Sequence, residues 1–186
     1  MSEIVDLTAA ERRMQGALDS VRREFSTIRT GRANPAILDR IEVEAYGSRM
    51  PLRSVANVSV PEPRLLVVTP FDPGTLKSVE RAIEGADIGL NPQNDGRLIR
   101  LPIPELTEDR RRQLIRMVRG MAEEGRVSVR NVRRNEMRDL QDLKKMGEIS
   151  EDDERRAEAE LQQLTGRYTS RIDTLLSEKE AELLEV

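Results

Sequence analysis

The sequence predicts an α+β fold in which an elongated antiparallel three-helix bundle is interrupted by a small β/α/β domain. Two observations carry this. All nine prolines lie between Pro35 and Pro104, and proline interrupts helices by removing a donor and clashing with the preceding turn. The proline-free flanks on either side carry apolar residues at helical spacing, whereas the middle alternates apolar and polar residues as strands do. The domains expected are therefore 1–31 with 105–186, discontinuous in sequence, and 32–104, joined by two chain crossings.

In the first flank, Leu7, Met14, Val21 and Ile28 recur every seven residues, and Ile4, Leu18 and Phe25 fill the complementary series with Glu11 as its lapse. That is the pattern of a helix lying along a bundle seam, expected from about Glu3 to Thr30. Gly31 and Asn34-Pro35 end it.

The insert opens with Ile41-Glu42-Val43-Glu44-Ala45, alternating like a half-buried strand, and Gly47-Ser48 suggests a turn. Val58 and Val60 continue the alternation, and Leu65-Leu66-Val67-Val68 reads as a more buried strand. Asp72-Pro73-Gly74 introduces a short helix with Leu76, Val79, Ala82 and Ile83 on its apolar side. Asn94-Asp95-Gly96 is a turn before a last strand, Leu98-Ile99-Arg100-Leu101.

Thr107 is placed to cap a helix of about 40 residues, roughly 60 Å long, that reaches Met146. Gly120 and Gly125 weaken it, so that an unbroken helix and a bend there are the two readings. Gly147 stops it, and Ser150 caps a third helix whose first turn holds Glu151, Asp152 and Asp153. Its buried stripe is Ala157, Leu161, Leu164, Tyr168, Ile172 and Leu175. The short Gly147-Glu148-Ile149-Ser150 link makes these two helices antiparallel neighbours.

Seven arginines of the second helix, Arg112, Arg116, Arg119, Arg126, Arg130, Arg133 and Arg134, fall within an arc of roughly 100°. Leu114, Val118, Met121, Val129 and Val132 cluster roughly 140° away. One face can bury itself, and the other presents guanidinium forks that match phosphate. Two readings stand: a nucleic-acid contact, or a solvated face on which Glu123, Glu124, Glu136 and Asp139 pair with the arginines. The net charge of −3 conceals an asymmetry: 12 basic against 7 acidic residues over 107–146, and 5 against 12 over 147–186. If the ridge meets nucleic acid, the acidic third helix should face away from it.

Composition removes several functions. With no cysteine and no histidine, disulfides, thiolate metal sites and the usual general base are absent. Aromatics at 2% disfavour recognition by base stacking. No catalytic residue, metal ligand or cofactor is expected. The first residues, Met1 to Asp6, lack the basic start and apolar stretch of a signal peptide, and no apolar run reaches the ~20 residues needed to span a bilayer. A cytoplasmic protein with no membrane association is expected.

Three stretches resemble one family when taken together: Thr30-Gly31-Arg32-Ala33-Asn34-Pro35; Asn94-Asp95-Gly96 leading to Leu101-Pro102-Ile103-Pro104-Glu105-Leu106-Thr107; and Val129-Arg130-Asn131-Val132-Arg133-Arg134. With Ile149-Ser150-Glu151-Asp152-Asp153, they resemble bacterial ribosome recycling factor over essentially the whole chain. The resemblance implies an L-shaped molecule that binds the post-termination ribosome. There it would act with elongation factor G, and with GTP hydrolysed by that factor, to separate the subunits and release the mRNA. The chain itself has no Gly-rich P-loop, and a monomer is expected.

The family's large-subunit rRNA contact maps onto Arg130, Arg133 and Arg134, led by Arg133. Arg126, Arg112, Arg116 and Arg119 extend the stripe. Arg29 and Arg32 lie near the elbow, where rRNA contact or pairing with acids of the bundle are the two readings. Gly31, Arg32, Pro102 and Pro104 are the hinge candidates, a fixed elbow being the alternative. The rival functions are a co-chaperone-like helical interaction module without rRNA binding and a hydrolase using paired carboxylates.

Overall fold

The computed structural model describes residues 5–185. Glu3 and Ile4, the start of the first expected helix and one member of its heptad series, lie outside them. The chain divides into two compact units, one formed by residues up to 28 together with 108–185, the other by residues 29–107.

The first unit is three helices: α1 (Thr8–Ser26), α4 (Glu108–Met146) and α5 (Glu151–Leu184). Val21 of α1 packs beside Gly125 of α4, Arg13 reaches Glu136, and Glu11 meets Tyr168 of α5. Helix α1 therefore runs antiparallel to α4 and parallel to α5. The core is aliphatic, with Met14, Leu18, Val118, Val129, Leu161 and Ile172 fully buried.

Helix α1 ends four residues short of the Thr30 expected from its heptads. The hydroxyls of Ser26 and Thr27 donate to the carbonyls of Arg23 and Glu24 (2.6 and 2.7 Å) and occupy the acceptors of the last turn. Ile28, the last member of the series, is only half-buried. The lapse at Glu11 has a use, since its carboxylate accepts the Tyr168 hydroxyl at 3.1 Å.

Helix α4 runs unbroken through Gly120 and Gly125 for 39 residues. Gly120 is exposed, whereas Gly125 is buried at the meeting point of all three helices. The helix closes in a Schellman motif. Gly147, at φ 76°, donates to Lys144 O and Glu148 to Leu143 O, both at 3.0 Å. Ser150 and Asp153 then form a reciprocal capping box that starts α5. Of the expected α5 stripe, Leu175 is only half-buried, and Leu183 is buried beyond it.

The second unit holds β1 (Glu42–Ala45), β2 (Ser48–Pro51), α2 (Leu52–Val55), β3 (Ala56–Glu62), β4 (Leu65–Pro70), α3 (Leu76–Gly85), β5 (Gln93–Asn94) and β6 (Ile99–Pro102). β1 and β2 form a hairpin, and the other strands form an antiparallel sheet in the order β3-β4-β6-β5. Leu66, Val68, Ile99 and Leu101 join Val43, Val79 and Ile83 in one core. The 3₁₀ turn Pro35–Leu38 and the single turn α2 have no periodic signal because both are shorter than one amphipathic repeat. Val60 is 40% exposed, against the expected alternation, because the β3–β4 register shifts between Ser59 and Glu62.

Candidate nucleic-acid interface

Because α4 is continuous, the arginines predicted to share a face share one. Leu114, Val118 and Val129 are buried beneath it, with Met121 and Val132 half-buried. The structure then sorts these arginines by partner. Arg112 pairs with Glu108 one turn earlier. Arg119 pairs with Glu180 of α5. Arg126 holds Glu123 at 2.8 Å and Asp173 of α5 at 2.5 Å, and Arg130 takes the other oxygen of Glu123 at 2.5 Å. The two guanidinium groups, Arg126 first, hold the Glu123 carboxyl below its usual range.

Among the described residues, three ridge arginines have no carboxylate partner. Arg133 donates from Nη1 to Gln162 Oε1 at 2.6 Å. Arg134 makes a long contact to Asn131 Oδ1, 3.4 Å, and Arg116 reaches only the Arg112 carbonyl, 3.5 Å. Among the described residues, uncancelled positive charge on the ridge therefore sits at 116, 133 and 134. Arg138, outside the arc, is also exposed and unpaired among the described residues.

The third helix, expected to face away from nucleic acid, brings two of its acids to the ridge. Asp173 and Glu180 reach it because α5 packs directly along α4, and residues bordering an antiparallel seam meet across it. Of the acids expected to pair, Glu123 does so, and Glu136 turns instead to Arg13 of α1 at 3.0 Å. Sequence reading missed Gln162. The signal for it exists only once α4 and α5 are set in register.

The residues at the crossings lie within the second unit. Arg29 points Nη1 at the Ile88 carbonyl, 3.4 Å away. Gly31 is buried with φ 76°, and Arg32 is exposed. Ala33 donates to Pro63 O and Ile103 to Arg64 O, both at 2.8 Å, so the β3–β4 turn holds both crossings. Pro102 is the last residue of β6, in register with Leu65, whereas Pro104 lies beyond the ladder. No cluster of metal-ligating side chains occurs among the described residues, and no described helix is long and apolar enough to cross a membrane.

Comparison with known proteins places this arrangement. The family model for ribosome recycling factor matches residues 21–184. The ribosome-recycling factor of Rubrobacter xylanophilus is 72% identical over 186 residues, covering 100% of both chains. A solution structure of the ribosome recycling factor, 39% identical, matches with a TM-score of 0.71 over 95% of this chain and 94% of its own. A second structure is 45% identical with a TM-score of 0.61, covering 99% and 100% of the two chains. It comes from models of the T. thermophilus ribosome recycling factor and the E. coli elongation factor G bound to the E. coli post-termination complex.

Proposed function

The chain belongs to the ribosome recycling factor family, and on that premise we propose that it binds the post-termination ribosome and, with elongation factor G and GTP, promotes its disassembly into subunits and release from mRNA. The observation that carries this reading is the likeness of the whole chain, both units included, to a protein of that name. The structural relative built with elongation factor G on a post-termination complex supports the choice of partners. In this reading the protein acts in the cytoplasm as a monomer and contributes position and force, and GTP hydrolysis belongs to the elongation factor.

The anchor is the arginine ridge on large-subunit rRNA, with Arg133 first, Arg134 and Arg130 beside it, and Arg126, Arg119, Arg116 and Arg112 extending it. Supporting the first two places, Arg133 and Arg134, like Arg116, have no acidic counter-ion among the described residues. A phosphate meeting them has no carboxylate to displace, and each contact releases condensed counterions. The carboxylate pairs of Arg112, Arg119, Arg126 and Arg130 are exposed enough to exchange for phosphate, at the cost of breaking them first. Arg29 and Arg32 are placed to add contacts near the elbow.

The second unit is the part on which elongation factor G acts, swinging about Gly31, Arg32 and the Pro102–Pro104 crossing. Support comes from the way the β3–β4 turn grips both crossings, so that a push on this unit is passed to both strands of chain at once. Purified post-termination complexes give the direct test. Light scattering should fall only when the chain, elongation factor G and GTP are all present. A folded chain that leaves scattering unchanged in that mixture overturns the reading.

A further inference from the structure

Three arginines of α4 stand seven residues apart, at 119, 126 and 133, and each reaches across the seam to α5. Arg119 meets Glu180 and Arg126 meets Asp173, which are also seven residues apart. Seven residues make about two turns, so such rungs stay in register between antiparallel helices. The same register sets Arg133 opposite Gly166, which has no side chain. The contact comes instead from one turn along, where Gln162 Oε1 accepts from Arg133 Nη1 at 2.6 Å. The third rung is thus an amide where the first two are carboxylates.

That difference has an electrostatic consequence. An amide oxygen accepts the hydrogen bond a carboxylate would accept but brings no charge. Arg133 is held in place and keeps its cation uncancelled. Its Nε is buried without an acceptor among the described residues, so among them Gln162 is the side chain that orients the guanidinium.

We propose that Gln162 is a positioning residue for the rRNA anchor, orienting Arg133 toward phosphate while leaving its charge available. This rests on the reading of Arg133 as an anchor. A glutamate at 162 extends the acidic ladder by one rung and gives Arg133 an internal counter-ion that phosphate must displace.

The test is binding of the full chain to purified 70S ribosomes by co-sedimentation across a salt series, using wild type, Gln162→Glu, Arg133→Ala and the double variant. Gln162→Glu should bind at least about tenfold more weakly, with a log–log salt slope shallower by about one. Its melting curve should match wild type because position 162 is exposed. The double variant should bind no more weakly than Arg133→Ala alone. Wild-type binding by Gln162→Glu, while Arg133→Ala loses affinity, overturns the role of Gln162. So does a Gln162→Glu loss that persists in full in the Arg133→Ala background. Wild-type binding by Arg133→Ala removes the anchor itself, and this proposal with it.

Discussion

Gly125 of α4 approaches Val21 of α1 so closely that a Cβ built on the glycine would lie 2.4 Å from Val21 Cγ2, and 3.3 Å from Ile172 Cδ1 of α5. The whole bundle closes on this point. A glycine in mid-helix costs roughly 1 kcal/mol relative to alanine, and here it permits backbones to approach where a methyl group does not fit.

Replacing Gly125 by alanine should therefore destabilise the bundle despite the better helix propensity. Overpacking of a filled core costs about 1–3 kcal/mol, more than the propensity gain at the upper end. Urea unfolding followed by helical circular dichroism should show a lowered midpoint, partly restored by adding Val21→Ala, which removes the blocking methyl groups. A midpoint equal to or above wild type in Gly125→Ala alone means that the seam opens without penalty.

Arg133→Glu should keep helix content and melting behaviour, since the side chain lies outside the aliphatic core, and should strongly weaken ribosome binding. The loss should be largest at low salt, where counterion release contributes most. Affinity indistinguishable from wild type at every salt concentration would remove Arg133 from the anchor.

At the elbow, Gly31 has φ 76°, a region that β-branched residues enter only under strain. Gly31→Val should slow subunit splitting in the light-scattering assay more than it weakens ribosome binding. Parallel losses of both would mean that the elbow is a fixed corner.

The pH profile of stability should be flat across neutrality, because the chain has no histidine. Asp153 is held below the usual carboxylate range first by the Ser150 hydroxyl, Asp72 first by the Gly74 N–H, Asp95 first by the Leu98 N–H, and Glu123 first by Arg126. Each has a folded pKa below its unfolded one. Its contribution is complete above the unfolded value, about 4, and is lost as pH falls through the folded values. Lys144 is shifted the other way, first by its bond to Glu154. Its contribution is complete below the ordinary lysine value, about 10.4, and is lost only as pH rises beyond it. Melting temperatures from circular dichroism should thus stay level between about pH 6 and 9. A step near neutrality would contradict this account.

Local chemistry explains why much of the architecture was legible beforehand. The proline map separates helix from sheet because the ring's effect on the backbone needs no partner. Gly147 and Ser150 mark the α4–α5 corner because a left-handed residue and a hydroxyl cap act within one turn. Other features depend on short range in ways that competing signals hide. The end of α1 is set by the hydroxyls of Ser26 and Thr27, overriding a heptad that continues to Ile28.

The amphipathic character of α4 and the seven arginines on one face follow from residue spacing, since periodicity places side chains around a helix without reference to anything else. Tertiary structure alone decided which of them keep their charge and why Gly125 is a glycine. Both depend on what α1 and α5 bring opposite a given turn of α4: Asp173 and Glu180 to Arg126 and Arg119, Gln162 to Arg133, Val21 to Gly125. Those pairings join residues 29 to 104 positions apart in the chain, and only the register of packed helices brings them together.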